Sequence, residues 1–221
     1  MIGKIVNTMR DIFTRHKLLV SASFSLLVAI AIFIALFFVI PREVELSSNP
    51  TVAEYQRELV NLKAKADKDS SDLDAHKNYA VALYASGDLQ AAKSQYEKVI
   101  QLNSSDASAY NYLANTHRDL GETEAAVRSY KKAISLDPRR VNYYANLANM
   151  QLYTLNKPAD AIATYKSGLV ATPANSQLEF LLATAYEQTG DVQAARQTYQ
   201  NILSYEADNQ LAKSALARLG S

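Results

Sequence analysis

The sequence predicts an all-α protein, with one membrane-spanning helix at the front and a row of helical hairpins behind it. Two observations carry this expectation. Residues 18–40 run LLVSASFSLLVAIAIFIALFFVI without a charge, and from Tyr96 onward one phrase returns four times. It reads YEKVIQLNS at Tyr96, YKKAISLDP at Tyr130, YKSGLVATP at Tyr165 and YQNILSYEA at Tyr199, at spacings of 34, 35 and 34 residues. There is no cysteine, which rules out a disulfide framework, a thiolate metal site and a thiol nucleophile.

The apolar run comes first. At about 1.5 Å per residue it makes a helix of about 34 Å, enough to cross a hydrocarbon core of about 30 Å. A cleaved signal peptide has a shorter apolar core and small residues at its cleavage site. Here the run ends on Phe38, Val39 and Ile40, so the expectation is a retained signal-anchor in contact with the lipid bilayer. Lys4, Arg10, Arg15 and Lys17 precede it with only Asp11 against them, whereas Arg42 on the far side is followed by Glu43 and Glu45. The excess of basic residues places the N-terminus in the cytoplasm and the remainder outside it, at a cell (inner) membrane with the repeats periplasmic. Within residues 1–17, Ile2, Ile5, Val6, Met9, Ile12 and Phe13 recur at helical spacing among the basic residues, as in an interfacial helix or an extension of the span.

Residues 41–50, PREVELSSNP, read as a linker. Thr51 and Glu54 form a capping-box pattern, and Val52, Tyr55, Leu59 and Leu62 make a helical stripe, predicting a helix from about 51 to 66 that DKDSSD ends. Residues 51–72 are thus a capping helix and loop. The repeats then span 73–106, 107–140, 141–175 and 176–209, each a helix A and a helix B joined by a turn at ASGD, DLGE, LNKP or QTGD. Ala80, Ala114, Ala148 and Ala183 let helix A approach helix B, and Ala92, Ala126, Ala161 and Ala195 do the same from helix B. Tyr96, Tyr130, Tyr165 and Tyr199 follow four residues later on the same face and fill the space against the next hairpin. Pro138 and Pro173 stop helix B. No hairpin can bury its apolar face alone, which is why the phrase recurs. Residues 210–221, with Leu211, Ala215 and Leu219 on one stripe, close the row as a C-terminal capping helix.

These residues resemble the tetratricopeptide repeat (TPR) family, the second repeat nearly throughout: AYNYLANTHRDLGETEAAVRSYKKAISLDPRR, with Leu113, Ala114, Gly121, Ala126, Tyr130, Ala133 and Pro138 in register. Departures are Ser104 and Ala207 where the family prefers proline, and an extra residue and Pro158 in the third repeat. The resemblance implies a right-handed α-solenoid that binds a protein or an extended peptide in a concave groove lined by helix A. The positions it designates hold Asn78, Asn111, Asn115, Asn142, Asn146 and Asn149, with Tyr84, Tyr112, Tyr153 and Phe180 among them. Asparagine offers a donor and an acceptor together, suited to peptide amides, although it is also simply tolerated on a solvent-facing helix. Asn115, Asn146 and Asn149 are expected to form a row of solvent-facing amides, replaceable by alanine without cost to folding. The family's carboxylate clamp is matched only in part, by Lys77 in one register or by Asn115 and Asn146 in the other.

No metalloprotease motif, nucleophile elbow or phosphate loop is present, so no enzyme and no cofactor are expected. His76 and His117 occupy packing positions, and Gly87, Gly121 and Gly190 belong to hairpin turns. Residues 41–221 carry 19 basic and 21 acidic side chains without a basic stripe, which argues against nucleic acid. The sequence thus predicts a membrane-anchored scaffold or adaptor, acting in assembly or quality control of a membrane or envelope complex. The alternatives are a self-associating structural subunit, that is a homo-oligomer, and a regulatory subunit tethering an enzyme.

Overall fold

A computed structural model describes residues 50–220, with side chains from 56 onward. The expected membrane span at 18–40, the basic segment before it and the linker at 41–49 lie outside the described residues. Among the described residues no helix is long and apolar enough to cross a membrane. The repeats all fall within one compact unit, Leu59–Ser221.

The described residues form ten α-helices and no strand. The first, α1 (Pro50–Lys68), begins ahead of Thr51, which therefore lies inside the first turn and not at the cap. Proline suits that first turn, where its missing N–H has no helical partner to lose. The hairpins follow as α2 (Leu73–Ser86) with α3 (Leu89–Leu102), α4 (Ala107–Asp119) with α5 (Thr123–Leu136), α6 (Val141–Asn149) with α7 (Pro158–Ala171), and α8 (Ser176–Gln188) with α9 (Val192–Tyr205). The last helix is α10 (Gln210–Gly220).

Short polar side chains start most of these helices. Asp72, Asp88, Asp106, Asn175, Asp191 and Asn209 each accept a hydrogen bond from the backbone N–H three residues on. In three hairpins helix A ends on a glycine in the left-handed region, Gly87, Gly121 and Gly190, as such turns require. The third hairpin differs. Its extra residue is taken up inside helix A, where Met150–Thr154 continues α6 as a π-helical turn, and Asn156 takes the left-handed conformation (φ 52°). Asparagine is among the few side chains that enter that region readily.

The core runs as a column through the stack. The four paired alanines of helix A and helix B and the four tyrosines are fully buried. Each buried cluster joins one hairpin to the helix after it: Ala80, Ala92 and Tyr96 with Leu113; Ala114, Ala126 and Tyr130 with Leu147 and Met150; Ala148, Ala161 and Tyr165 with Leu178 and Leu182; Ala183, Ala195 and Tyr199 with Ala212 and Ala215. Leu59 of α1 packs on the first cluster and α10 on the last. Neighbour interfaces therefore carry the stability of the array.

Candidate partner-binding face

The A helices α2, α4, α6 and α8 bring the sequence-predicted residues to one side of the array, but give them unequal freedom. Asn115 and Asn149, one repeat apart, are half-buried, and their carbonyl oxygens accept the hydroxyl protons of Tyr130 and Tyr165 at 2.5 Å. Those phenols are fully buried, and burial pushes Tyr130 up to about 12 and Tyr165 higher still. A buried hydroxyl needs a partner, and these asparagines supply it. Asn146, also half-buried, donates through Nδ2 to Oδ1 of the buried Asn111 at 2.9 Å, joining α6 to α4. The three amides therefore do not form a free row. They complete the core and the interface between repeats, so their replacement is expected to carry a folding cost, contrary to the expectation from the sequence.

Similar links recur along this face at a separation of 35 residues. Tyr84 donates to Asp119, Asn146 to Asn111, and Gln188 Nε2 to the Tyr153 hydroxyl at 3.1 Å. Arg118 Nε also donates to Asp119 at 2.7 Å. Burial pushes the Asp119 carboxyl up, but the hydrogen bonds from Arg118 and Tyr84 outweigh it and hold the group below its ordinary value. Sequence inspection missed Asp119, Gln188 and Arg118 as members of this lacing. Their spacings from the tyrosines, 35 residues for Asp119 and Gln188 and 34 for Arg118, lie at the repeat length and do not single them out.

What remains open on this face is narrower than the sequence-predicted set. Asn78 on α2 and Asn142 on α6 are exposed and make no side-chain hydrogen bond among the described residues. Asn142 lines a pocket of about 180 Å³ with Ser108, Asn111, Tyr112, Arg140 and Tyr143, between the second and third repeats. Tyr112 is 38% exposed and stacks on Tyr96 with ring centroids 5.7 Å apart. Tyr153, on the π-helical turn, is 60% exposed. Phe180 is half-buried, its ring tilted on Tyr199 at 5.4 Å, and with Leu181 and the exposed Leu211 it lines an apolar pocket of about 300 Å³ at the C-terminal end. The face thus offers hydrogen bonding and a cation, Arg140, in its middle and apolar contact beyond it. His76 and His117 are buried, with His117 Nδ1 2.5 Å from Glu122. No cluster of metal-ligating side chains occurs among the described residues.

Family models match this same stretch in three consecutive pieces: a tetratricopeptide repeat at 73–106, a TPR repeat at 114–152, and a tetratricopeptide repeat at 152–219. The hairpins are tetratricopeptide repeats. No curated protein sequence matches the chain. Among solved structures, the TPR array is similar to the crystal structure of MamA, at 19% identity over 71% of this chain and 91% of that one, with a TM-score of 0.61. It is also similar to pilF of Pseudomonas aeruginosa, at 22% identity over 76% and 82% with a TM-score of 0.58. A third likeness is to YrrB, described as a TPR protein with an unusual peptide-binding site, at 16% identity over 72% and 90% with a TM-score of 0.53. At these identities the likeness is one of fold. TPR proteins are in general non-enzymatic scaffolds that bind protein or peptide partners.

Proposed function

We propose that this chain is a membrane-anchored TPR scaffold that holds an extended segment of a protein partner along the helix A face, in assembly or quality control of a membrane or envelope complex. The anchor is the apolar run at 18–40, with the basic residues before it in the cytoplasm and the array on the other side. The observation that carries the groove proposal is the pocket between the second and third repeats. There Asn142 keeps its full hydrogen-bonding capacity, and Arg140 and Tyr112 stand beside it as a cation and an aromatic surface. Asn142 would pair with a main-chain amide of the bound segment, Arg140 with a carbonyl or carboxylate, and Tyr112 and Tyr153 with its side chains. The apolar pocket at Phe180, Leu181 and Leu211 takes a large apolar residue farther along, and Asn78 extends the polar face toward α2.

A photo-crosslinking residue placed at 142, 153 or 170 in the full-length protein in its own membrane tests the groove. Adducts with a protein partner are expected from 142 and 153 but not from 170, since Val170 is 84% exposed on helix B of the third repeat. Adducts from 170 alone would move the binding surface to the other side. A reporter active only outside the cytoplasm, fused after Ser221, is expected to be active. An inactive fusion would remove the anchored topology while leaving the groove in place.

A further inference from the structure

A pocket lies on the helix B side, between α7 and α9 with α8 as its floor. It holds about 520 Å³ and is lined by Leu169, Glu179, Leu182, Tyr186, Thr198 and Asn201 among others. Glu179 is 5% exposed. Its Oε1 accepts from Asn201 Nδ2 at 2.7 Å and its Oε2 from the Tyr205 hydroxyl at 3.1 Å. Both donors are neutral, and no cation stands within ion-pairing distance of this carboxylate among the described residues. A carboxylate withdrawn from water without a cation is costly, because neutral donors return only part of the lost hydration.

Repeat register sharpens the point. The other three repeats place His76, Tyr110 and Tyr144 where the fourth has Glu179. On the facing helix B, the first two repeats have Lys98 and Lys132 where the fourth has Asn201, and Lys132 Nζ lies 5.9 Å from the centre of the Tyr110 ring. The array is therefore able to hold an ammonium over this position. In the fourth repeat it introduces an acid there and removes the lysine.

We propose that this pocket receives an arginine side chain from a protein partner, at a site separate from the helix A groove and independent of it. Each carboxylate oxygen of Glu179 keeps a lone pair beyond its one neutral donor, and a guanidinium supplies two parallel N–H groups to such a pair. Leu169 and Leu182 line the same pocket and give the methylene stem an apolar wall. A hard divalent cation would need several more oxygen ligands than one carboxylate provides.

The test uses the full-length protein and two probes of one shape, N-acetylarginine methylamide and its uncharged citrulline counterpart, followed by nuclear magnetic resonance titration. The arginine probe is expected to shift the signals of Leu182, Asn201 and Tyr205, with the citrulline probe weaker by about tenfold or more, as loss of a charge-assisted bidentate pair implies. Glu179→Gln is expected to remove this difference. Asn201→Lys provides a second route should that variant fold poorly: it places an ammonium beside Glu179 in the chain itself, so it is expected to abolish the shifts while the melting temperature holds or rises. Equal binding of the two probes, unchanged binding in Asn201→Lys, or shifts confined to Tyr112 and Asn142 would overturn the proposal.

Discussion

The first repeat and the two after it bury the same tyrosine in different company. Tyr130 and Tyr165 give their hydroxyl protons to Asn115 and Asn149. Tyr96 is just as buried, yet its hydroxyl finds no partner, because Val81 stands where those asparagines stand. In the fourth repeat the position is Thr184, 3.4 Å from the Tyr199 hydroxyl, which donates to Glu187 at 2.7 Å. The other unpartnered buried side-chain atom among the described residues, His76 Nε2, is also in the first repeat. In the first three repeats this position, one residue after the packing alanine of helix A, therefore decides whether the core phenol is satisfied, whereas in the fourth Glu187 supplies the acceptor. It teaches that an asparagine repeated along the groove can serve the core behind it, and that the residues free to meet a partner are those this duty does not claim.

The largest expected effect that could break the comparison comes from Asn115→Ala or Asn149→Ala. Each strands a buried hydroxyl and is expected to cost about 1–3 kcal/mol, a fall of several degrees in melting temperature for an array of this size. Val81→Ala, at a position 42% exposed, is expected to stay within about 0.5 kcal/mol. Equal melting temperatures for the asparagine variants and the parent, read by circular dichroism, would show that the hydroxyl contacts do not hold the fold.

A smaller contrast separates the tyrosines themselves. Tyr130→Phe loses a hydrogen bond and is expected to cost about 0.5–1.5 kcal/mol, whereas Tyr96→Phe removes an unpartnered hydroxyl and is expected to be neutral or mildly stabilising. Val81→Asn should work in the opposite sense, giving Tyr96 the acceptor its neighbours have and raising the melting temperature by a few degrees. If Tyr96→Phe destabilises as much as Tyr130→Phe, the two repeats are not different in the way described.

The smallest effect concerns acid. Asp119 is held below its ordinary carboxyl value, so its contribution is present above that value and is lost as pH falls through the lower folded one. Its side chain is about a third exposed, which limits the contribution to below about 1 kcal/mol. Asp119→Asn should accordingly lower stability slightly at neutral pH and flatten its decline in acid. A variant that declines in acid as steeply as the parent would assign that limb to other carboxylates, such as Asp106 and Glu187, which are also held low.

Much of the fold was legible because it is periodic. The alanine and tyrosine registers, the glycine turns and the closing helix all follow from one surface being repeated. Less legible was anything set by how far side chains reach between helices. Asn115 and Tyr130 are 15 residues apart and Asn149 and Tyr165 are 16, the difference being the residue absorbed in the π-helical turn, so one contact survives in both repeats although the spacing changes. The links from Tyr84 to Asp119 and from Tyr153 to Gln188 depend on the stagger between successive hairpins, which single-repeat periodicity does not encode. In the sequence nothing sets Glu179 apart from the other 20 acidic residues of 41–221. Its burial follows from the helix B that closes over it.

The central claim is that binding and folding are divided between different residues of one face. It is tested most directly by comparing a double variant, Asn142→Ala with Tyr153→Ala, against Asn115→Ala for capture of the partner crosslinked from position 142, with melting temperatures measured in parallel. The account predicts that the double variant melts within a few degrees of the parent and captures about tenfold less, since summed losses of about 1.4 kcal/mol reach that factor. It predicts that Asn115→Ala melts lower yet still captures the partner below its transition. Full capture by the double variant, or lost capture with unchanged melting in Asn115→Ala, would contradict it.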